Sequence, residues 1–318
     1  MLVTERRLYM ITTITLNPAI DRTIVVNSLE VGQVNRITSA REDIGGKGIN
    51  VTKILKQLND STKAMGFIGI NNKKRVYELL DIENICYQFV EVDAQTRINT
   101  KIVDHGSQLT TDLNEQGFSI NPDLYETFKA IVTEQALQSD FMVFSGSIPV
   151  GLSIETYKDL IELVKKSTLT VLDAEGELLV EGIKAGPFLI KPNIHELEAA
   201  FKTQFNSEKD IIKLCLDIIN RYGIKMVLVS MGSEGSLLIT QEEVLKAEPI
   251  KVDVKSTVGA GDSMLAGIVH GIANCLSLSD SLVFATACGT LAVTQEGTQS
   301  FSMEEVLEVM KQVQISSL

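Results

Sequence analysis

Residues 141–174 read "FMVFSGSIPVGLSIETYKDLIELVKKSTLTVLDA", and the order of residue types in this stretch decides the fold. "FMVFSG" (141–146) and "LTVLDA" (169–174) are short continuous apolar runs, the composition of strands buried on both faces. Between them, 153–166 carries apolar residues at helical spacing. The same rhythm returns at "FLIKPN" (188–193) and "MVLVSM" (226–231), with a helix-period segment at 207–222. "MITTITLN" (10–17) and "KAMGFIG" (63–69) join the same set of strands. Strands alternating with helices predict an α/β domain: a doubly wound, mostly parallel sheet with helices on both faces.

Two stretches break the rhythm. Residues 21–44 and 87–113 alternate β-branched and polar residues with no helix between them, which predicts a separate small antiparallel β-sheet. The expected division is therefore a core of 10–20, 45–86 and 114–318 with a β lid of 21–44 and 87–113 inserted in it. Such a lid would cover the carboxyl edge of the main sheet, where open α/β folds bind ligands.

The chain has 318 residues and a net charge of −12, from 29 Lys and Arg against 41 Asp and Glu. That balance argues against nucleic acid as the partner, and any anionic ligand must be held by local cations. No apolar stretch is long enough to span a bilayer. The start, "MLVTERRLYMITTITL", passes into a strand-like pattern without a cleavage site, and Met10 is an alternative start because residues 1–9 add nothing recognisable. Cys86, Cys215, Cys275 and Cys288 stand far apart with no C-x-x-C pair. Reduced core thiols in a cytoplasmic protein are expected.

"STVGAGDSM" (256–264) places Gly259, Ala260 and Gly261 directly before Asp262 and an amphipathic helix expected over 262–274. It is not a dinucleotide fingerprint, because Met264 stands where the last glycine is required. Nor is the Gly-Gly-Lys of "IGGKGINVTKIL" (44–55) a P-loop: Arg41 stands where the first glycine belongs and Gly48 follows the lysine. Two readings of 256–264 remain. Either the N–H groups of 259–261 face a transferring phosphoryl group and Asp262 takes a proton, or Asp262 caps a helix and the small residues pack. At 44–55, Gly45 and Gly46 make a tight turn, Lys47 adds a point charge, and Asn50 lies one turn into a helix running to Leu58. The alternative there is a plain strand-to-helix turn.

Together the two clusters resemble the two signatures of the PfkB family of sugar kinases, the ribokinase-like kinases. The second signature matches from Ser256 to Ile268 and the first from Gly45 through Thr52. "TITLNPAID" (13–21), "TRIN" (96–99), "SGSIPVG" (145–151) and "KPNIHELE" (191–198) look like the branch acting on fructose 1-phosphate, with the tagatose 6-phosphate branch as its sibling. Two departures stand out. Asn59 replaces the usual glycine or serine, and asparagine tolerates the left-handed geometry of a helix end. Arg75 stands where relatives often carry glycine.

The resemblance implies phosphoryl transfer from ATP with Mg2+ to a ketohexose phosphate, and a homodimer paired through the lid. It implies Asp262 as general base, with Gly259, Ala260 and Gly261 forming the anion hole. Asp21 would bond sugar hydroxyls near Gly45, Gly46 and Asn50, while Lys47 and Arg97 would hold the phosphate already on the sugar. Asn193 and Glu196 form the family's N-x-x-E motif, with Glu196 holding magnesium through water. Lys191 would lie near the nucleotide phosphates, and Ser230, Gly232, Gly235 and Thr257 along the nucleotide groove. His105, His195 and His270 are expected as ordinary surface or helix-start residues. The competing classes are a sugar-phosphate sensor without turnover, which has no need of a base, and a nucleotide-dependent oxidoreductase, which lacks its fingerprint.

Overall fold

A computed structural model describes residues 9–295 and 301–318. The expectations for the first eight residues lie outside the described residues. In chain order the first half runs β1 (Met10–Thr15), β2 (Ala19–Val26), β3 (Ile37–Gly45), α1 (Lys47–Gln57), β4 (Ser61–Gly69), α2 (Lys73–Ile82), β5 (Tyr87–Val92), β6 (Arg97–Asp104), β7 (Leu109–Asn114), α3 (Pro122–Ala136) and β8 (Phe141–Ser145). There follow α4 (Thr156–Val164), β9 (Leu169–Asp173), α5 (Gly176–Gly182), β10 (Leu189–Ile190), α6 (Ile194–Phe201), α7 (Glu208–Tyr222) and β11 (Met226–Ser230). The last part is β12 (Ser236–Ile239), β13 (Val244–Ala247), α8 (Ala260–Ala273), α9 (Leu278–Val293), α10 (Met303–Met310) and β14 (Ile315–Ser317).

The βαβ pattern of 141–174 forms as its apolar runs require. β8 and β9 pair in parallel, and the sheet extends in the order β14-β13-β12-β11-β10-β9-β8-β1-β4-β5. From β5 to β11 every pairing is parallel; β12, β13 and β14 add an antiparallel edge. Successive strand residues serve opposite cores. Met142 and Phe144 pack with α3–α7 side chains such as Phe128, Tyr157 and Leu197, whereas Phe141 and Val143 pack with Val51 of α1, Leu265 of α8 and Leu282 of α9. Each burial of such a side chain favours folding by about 1.5–3 kcal/mol, which is why continuous apolar strands stay between two helical layers.

The sheet reverses its winding between β1 and β8, the kind of switch point at which open α/β sheets bind ligands. Over this edge lies a second sheet, in the order β3-β2-β6-β7. It is mixed rather than antiparallel: β2 pairs antiparallel with β3 but parallel with β6. Residues 87–92 do not belong to it. They form β5 of the main sheet, parallel to β4, because Val90 and Val92 bury themselves in the main core. The outer parts of the small sheet are open, with Val31, Val34, Ile37, Leu109 and Leu113 all exposed. Asn59, the residue after the α1 cap, has φ 63°, the left-handed geometry that its side chain tolerates.

Candidate active site

A cleft of about 1730 Å³ runs along the carboxyl ends of the parallel strands, beneath the small sheet. Every candidate catalytic, sugar-binding, nucleotide-binding and magnesium-binding residue named from the sequence lines it except Gly45, which lies beneath one that does. The cleft has a transfer centre on the main sheet, a grip on the small sheet and a groove toward β11.

The transfer centre is built on the first turn of α8. Gly259 caps the helix with φ 80°, a left-handed conformation costly to side-chain-bearing residues, and the helix begins at Ala260. The N–H groups of a first helical turn have no partner within the helix, so this end attracts negative charge. Under it lies Lys191: a Cβ placed on Gly261 would sit 3.2 Å from the Lys191 ammonium. Asp262 is buried and accepts a 2.8 Å hydrogen bond from Asn50 Nδ2 on its Oδ2. Burial, together with the neighbouring Asp173 carboxylate, pushes Asp262 up to about 6, while Asn50, Lys47 and Lys191 pull the other way. A helix N-terminus alone predicts a fully ionised carboxylate at lower pH; here desolvation outweighs it.

Asp173, at the end of β9, stands between two lysines: Lys191 Nζ at 3.4 Å and Lys47 Nζ at 3.9 Å. Burial raises its carboxyl, but the two ammonium groups outweigh that and hold it below the usual carboxylate range. Lys47 also reaches Glu196 at 3.9 Å, and Asp173, with Asp262 and Glu196, raises its pKa against burial. The centre therefore alternates carboxylates and ammonium groups around one point.

The grip lies on the small sheet. The β2–β6 register sets Asp21 beside Asn99, whose Nδ2 donates to Asp21 Oδ1 at 3.0 Å. A Cβ on Gly45 would fall 1.8 Å from Asp21 Oδ2, so only glycine lets the carboxylate occupy that space. Burial raises Asp21 above the usual carboxylate range, opposed by Asn99, Lys53 and Arg97. Arg97 donates from Nη2 to Asn17 O (2.8 Å), from Nη1 to Glu115 O (3.3 Å) and from Nε to Pro18 O (3.4 Å). Three of its five N–H groups are thus engaged and two remain. Lys47 and Arg97 both line the cleft, with different neighbours: the charges around Lys47 are Asp173, Asp262, Glu196 and Glu175, whereas Arg97 faces Asp21 and backbone carbonyls. Lys47 follows Gly46 into α1, and the first turn of that helix points its stem past Gly146 toward β9 rather than toward the lid.

On the groove side, Asn193 and Glu196 form a reciprocal capping box on α6. Glu196 N–H donates to Asn193 Oδ1 and Asn193 N–H to Glu196 Oε2, both at 2.8 Å. Half of the Glu196 carboxylate is therefore spoken for, and Oε1 faces Lys47. Among the described residues no three His, Cys, Asp or Glu side chains gather to hold a metal unaided. Magnesium that keeps most of its waters needs only one or two carboxylates besides phosphate oxygens, and the free edge of Glu196 fits that demand. Ser230 bridges to Asn193, and Gly232, Gly235 and Thr257 continue the groove.

Buried polar atoms without a hydrogen-bond partner cluster along this cleft: Asn17 Oδ1, Asn50 Oδ1, Asn99 Oδ1 and Thr15 Oγ1. Buried acceptors left unpaired are costly, and a polyhydroxylated ligand would satisfy them.

Residues 14–305 match the pfkB family of carbohydrate kinases. The chain belongs to that family. It is 37% identical over 310 residues to the 1-phosphofructokinase of Haemophilus influenzae, covering 97% of this chain and 98% of that one. Phosphofructokinase-2 from Escherichia coli in complex with fructose-6-phosphate superposes with a TM-score of 0.87 at 27% identity, covering 96% of this chain and 99% of that one. A tetrameric inhibited form of the same Escherichia coli protein gives 0.88 at 28% identity, with the same coverage. The fold is that of the ribokinase-like sugar kinases, and the chain is a kinase, which implies ATP as co-substrate.

Several residues of this kinase's cleft went unnoticed in the sequence. Asp173 lies within the quoted "LTVLDA" and ends its strand, and an acid at the carboxyl end of a buried parallel strand is the signal that marks it. Asn99 closes "TRIN" and Asn17 lies in "TITLNPAID", both inside quoted motifs, but only the sheet register shows what they face. His195 is exposed as expected, whereas His270 is buried, with Nδ1 2.7 Å from Asp60 Oδ2 and its ring stacked on Phe284. Only two of the four cysteines fill the core: Cys215 and Cys288 are buried, Cys86 and Cys275 exposed. Among the described residues no helix is long and apolar enough to cross a membrane.

Proposed function

We propose that this kinase transfers the γ-phosphoryl group of MgATP to a hydroxyl of a ketohexose phosphate, fructose 1-phosphate at its 6-hydroxyl, with Asp262 as the general base. One observation carries the reading: the Asp262 carboxylate is buried at a helix N-terminus between Asn50 and two lysines, poised near neutrality and facing the cleft. The 1-phosphofructokinase name of the relative at 37% identity supports the choice of sugar.

MgATP, when bound, supplies the phosphoryl group and part of the charge neutralisation. Asn50 holds Asp262 Oδ2, which leaves Oδ1 to take the proton from the attacking hydroxyl. Lys47, Lys191 and the N–H groups of residues 259–261 stabilise the charge that builds on the group in flight. Glu196 orients the magnesium waters, with Ser230, Gly232, Gly235 and Thr257 along the nucleotide. Asp21 accepts from sugar hydroxyls while Asn99 and Asn17 offer their unpaired oxygens. Arg97 turns its two remaining N–H groups to the phosphate already on the sugar, with Lys47 serving the transfer centre instead. The open apolar residues of the small sheet support a homodimer paired through the lid.

The test is ADP release with MgATP against fructose 1-phosphate, tagatose 6-phosphate, fructose 6-phosphate and unphosphorylated fructose. The highest kcat/KM is expected for fructose 1-phosphate; a preference for either other phosphate reassigns the sugar, and turnover of none retires the reading.

A further inference from the structure

Lys53 is a cation in an unusual place. It lies on α1, a turn and a half beyond the Gly45-Gly46 turn, with its side chain only 4% exposed, and it does not line the cleft. Lysine is seldom buried, because an ammonium out of water needs partners for three donors and for its charge. Its Nζ donates to Ile44 O at 2.7 Å and stands 3.5 Å from Glu83 Oε1 at the end of α2. Glu83 is itself one-third exposed, so this pair meets water on one side. Ile44, Ile49 and Ile20 belong to the buried cluster on this side of the small sheet.

What Lys53 is placed to serve is the carboxylate on the far side of that backbone. Ile44 O belongs to the peptide that leads into Gly45, and Gly45 is the residue whose missing side chain makes room for Asp21 Oδ2. Asp21 feels the Lys53 charge directly, along with those of Arg97 and Asp43. A tie that served only to join α1 to β3 could be made by a neutral donor; a buried charge behind a buried carboxylate suits an electrostatic task.

We propose that Lys53 is a positioning residue for the sugar, its buried ammonium holding the Ile44–Gly45 backbone and the Asp21 carboxylate in place from behind the cleft. It touches no substrate. This rests on the reading of Asp21 as the hydroxyl-binding carboxylate. Asp21 must be ionised to accept from two hydroxyls, and burial alone works against that. Lys53 and Arg97 oppose the burial, and Asp43 on β3 adds to it.

The test is binding of fructose 1-phosphate without nucleotide, by calorimetry at pH 8 and pH 6, for wild type, Lys53→Met, Lys53→Gln and Lys53→Arg. Without the cation Asp21 holds its proton to higher pH, so the affinity lost on substitution grows as pH falls. Lys53→Met and Lys53→Gln are expected to bind about threefold more weakly than wild type at pH 8 and more weakly still at pH 6. Lys53→Arg restores most of the affinity. The phosphate of the sugar titrates identically in every sample, so the ratio of variant to wild type belongs to the protein. A ratio unchanged between the two pH values, in variants that melt as folded proteins, overturns the assignment and leaves Lys53 a tie between α1 and β3. Wild type that does not bind fructose 1-phosphate overturns the functional reading and the assignment with it.

Discussion

Two carboxylates withdrawn from water, Asp262 buried on the main domain and Asp21 half-buried on the small sheet, start from the same physics and end in different work. Burial raises both. Around Asp262 the next influence is another carboxylate, Asp173, so its proton affinity climbs toward neutrality, where a group can both take and release a proton. Around Asp21 the next influences are Asn99, Lys53 and Arg97, which favour the charged form. One site is arranged for proton transfer, the other for holding. The frames match those tasks: Asp262 starts a helix packed along α9 in the main core, whereas Asp21 sits on a four-stranded sheet with an open outer side.

The largest effect expected from breaking this contrast is at Asp262. Asp262→Asn keeps the shape and the Asn50 contact but removes the basic oxygen, and kcat should fall on the order of 10²–10⁴-fold with the KM values little changed. Stability should move the other way. Because the folded-state pKa of about 6 lies above the ordinary aspartate value of the unfolded chain, ionised Asp262 favours the unfolded chain, and its stabilising contribution, present at low pH, is lost as pH rises through 6. Asp262→Asn is expected to melt higher than wild type at pH 7–8, by up to about 3 kcal/mol, with the gain gone near pH 4. The same titration gives wild-type kcat/KM an acid limb near pH 6, activity falling as the base is protonated. A pH profile of wild type and melts of the variant check both signs; a variant no more stable than wild type at pH 8 would deny the strained base.

Next in size is Lys191. Asp173 and Lys191 are both almost fully buried, at 1% and 4% exposure, so Lys191→Met strands a carboxylate in the core. A loss of about 3–5 kcal/mol in denaturant unfolding is expected. Asp173→Asn in the same background should recover much of it, since the stranded charge is then gone. On the small sheet, Arg97→Ala should raise the KM for the sugar phosphate roughly tenfold to a hundredfold, the worth of charged hydrogen bonds, and leave the KM for ATP unchanged. Equal changes in both would place Arg97 outside the grip.

The contrast also explains what could be read from the sequence alone. The βαβ rhythm survives in the chain because each strand between two helical layers must be apolar throughout, so "FMVFSG" and "LTVLDA" announce β8 and β9 directly. "YQFVEV" at 87–92 alternates as a half-exposed strand does, since β5 is an edge of the main sheet, and alternation does not say which sheet an edge strand joins. The transfer centre was legible where chemistry is local, as in Gly259–Asp262. It was hidden where partners come from distant strands: that Lys47 meets Asp173 depends on how α1 packs on β1 and β8, the neighbour of β9, which no spacing encodes. His270 reads as a helix-end residue until Asp60, 210 positions away, is seen against its ring.

The smallest expected effect concerns how the two regions are joined. Arg75, on α2, donates from Nε to Glu42 Oε2 of β3 at 2.9 Å and reaches Glu78 at 3.5 Å. It is an ion pair between the main domain and the small sheet. Yet Arg75 and Glu42 are 42% and 29% exposed, and exposed pairs contribute about 0–1 kcal/mol because water and salt screen them. β3 is held more firmly by its ladder with β2 and by the Lys53 contact to Ile44 O. Arg75→Ala should therefore cost under about 1 kcal/mol of stability, change the sugar-phosphate KM less than about threefold, and lose even that difference when the assay is repeated in high salt. A tenfold KM change that persists in high salt would mean that this pair sets the lid position, and that the grip is held from the rim of the small sheet rather than from the buried cation beneath it.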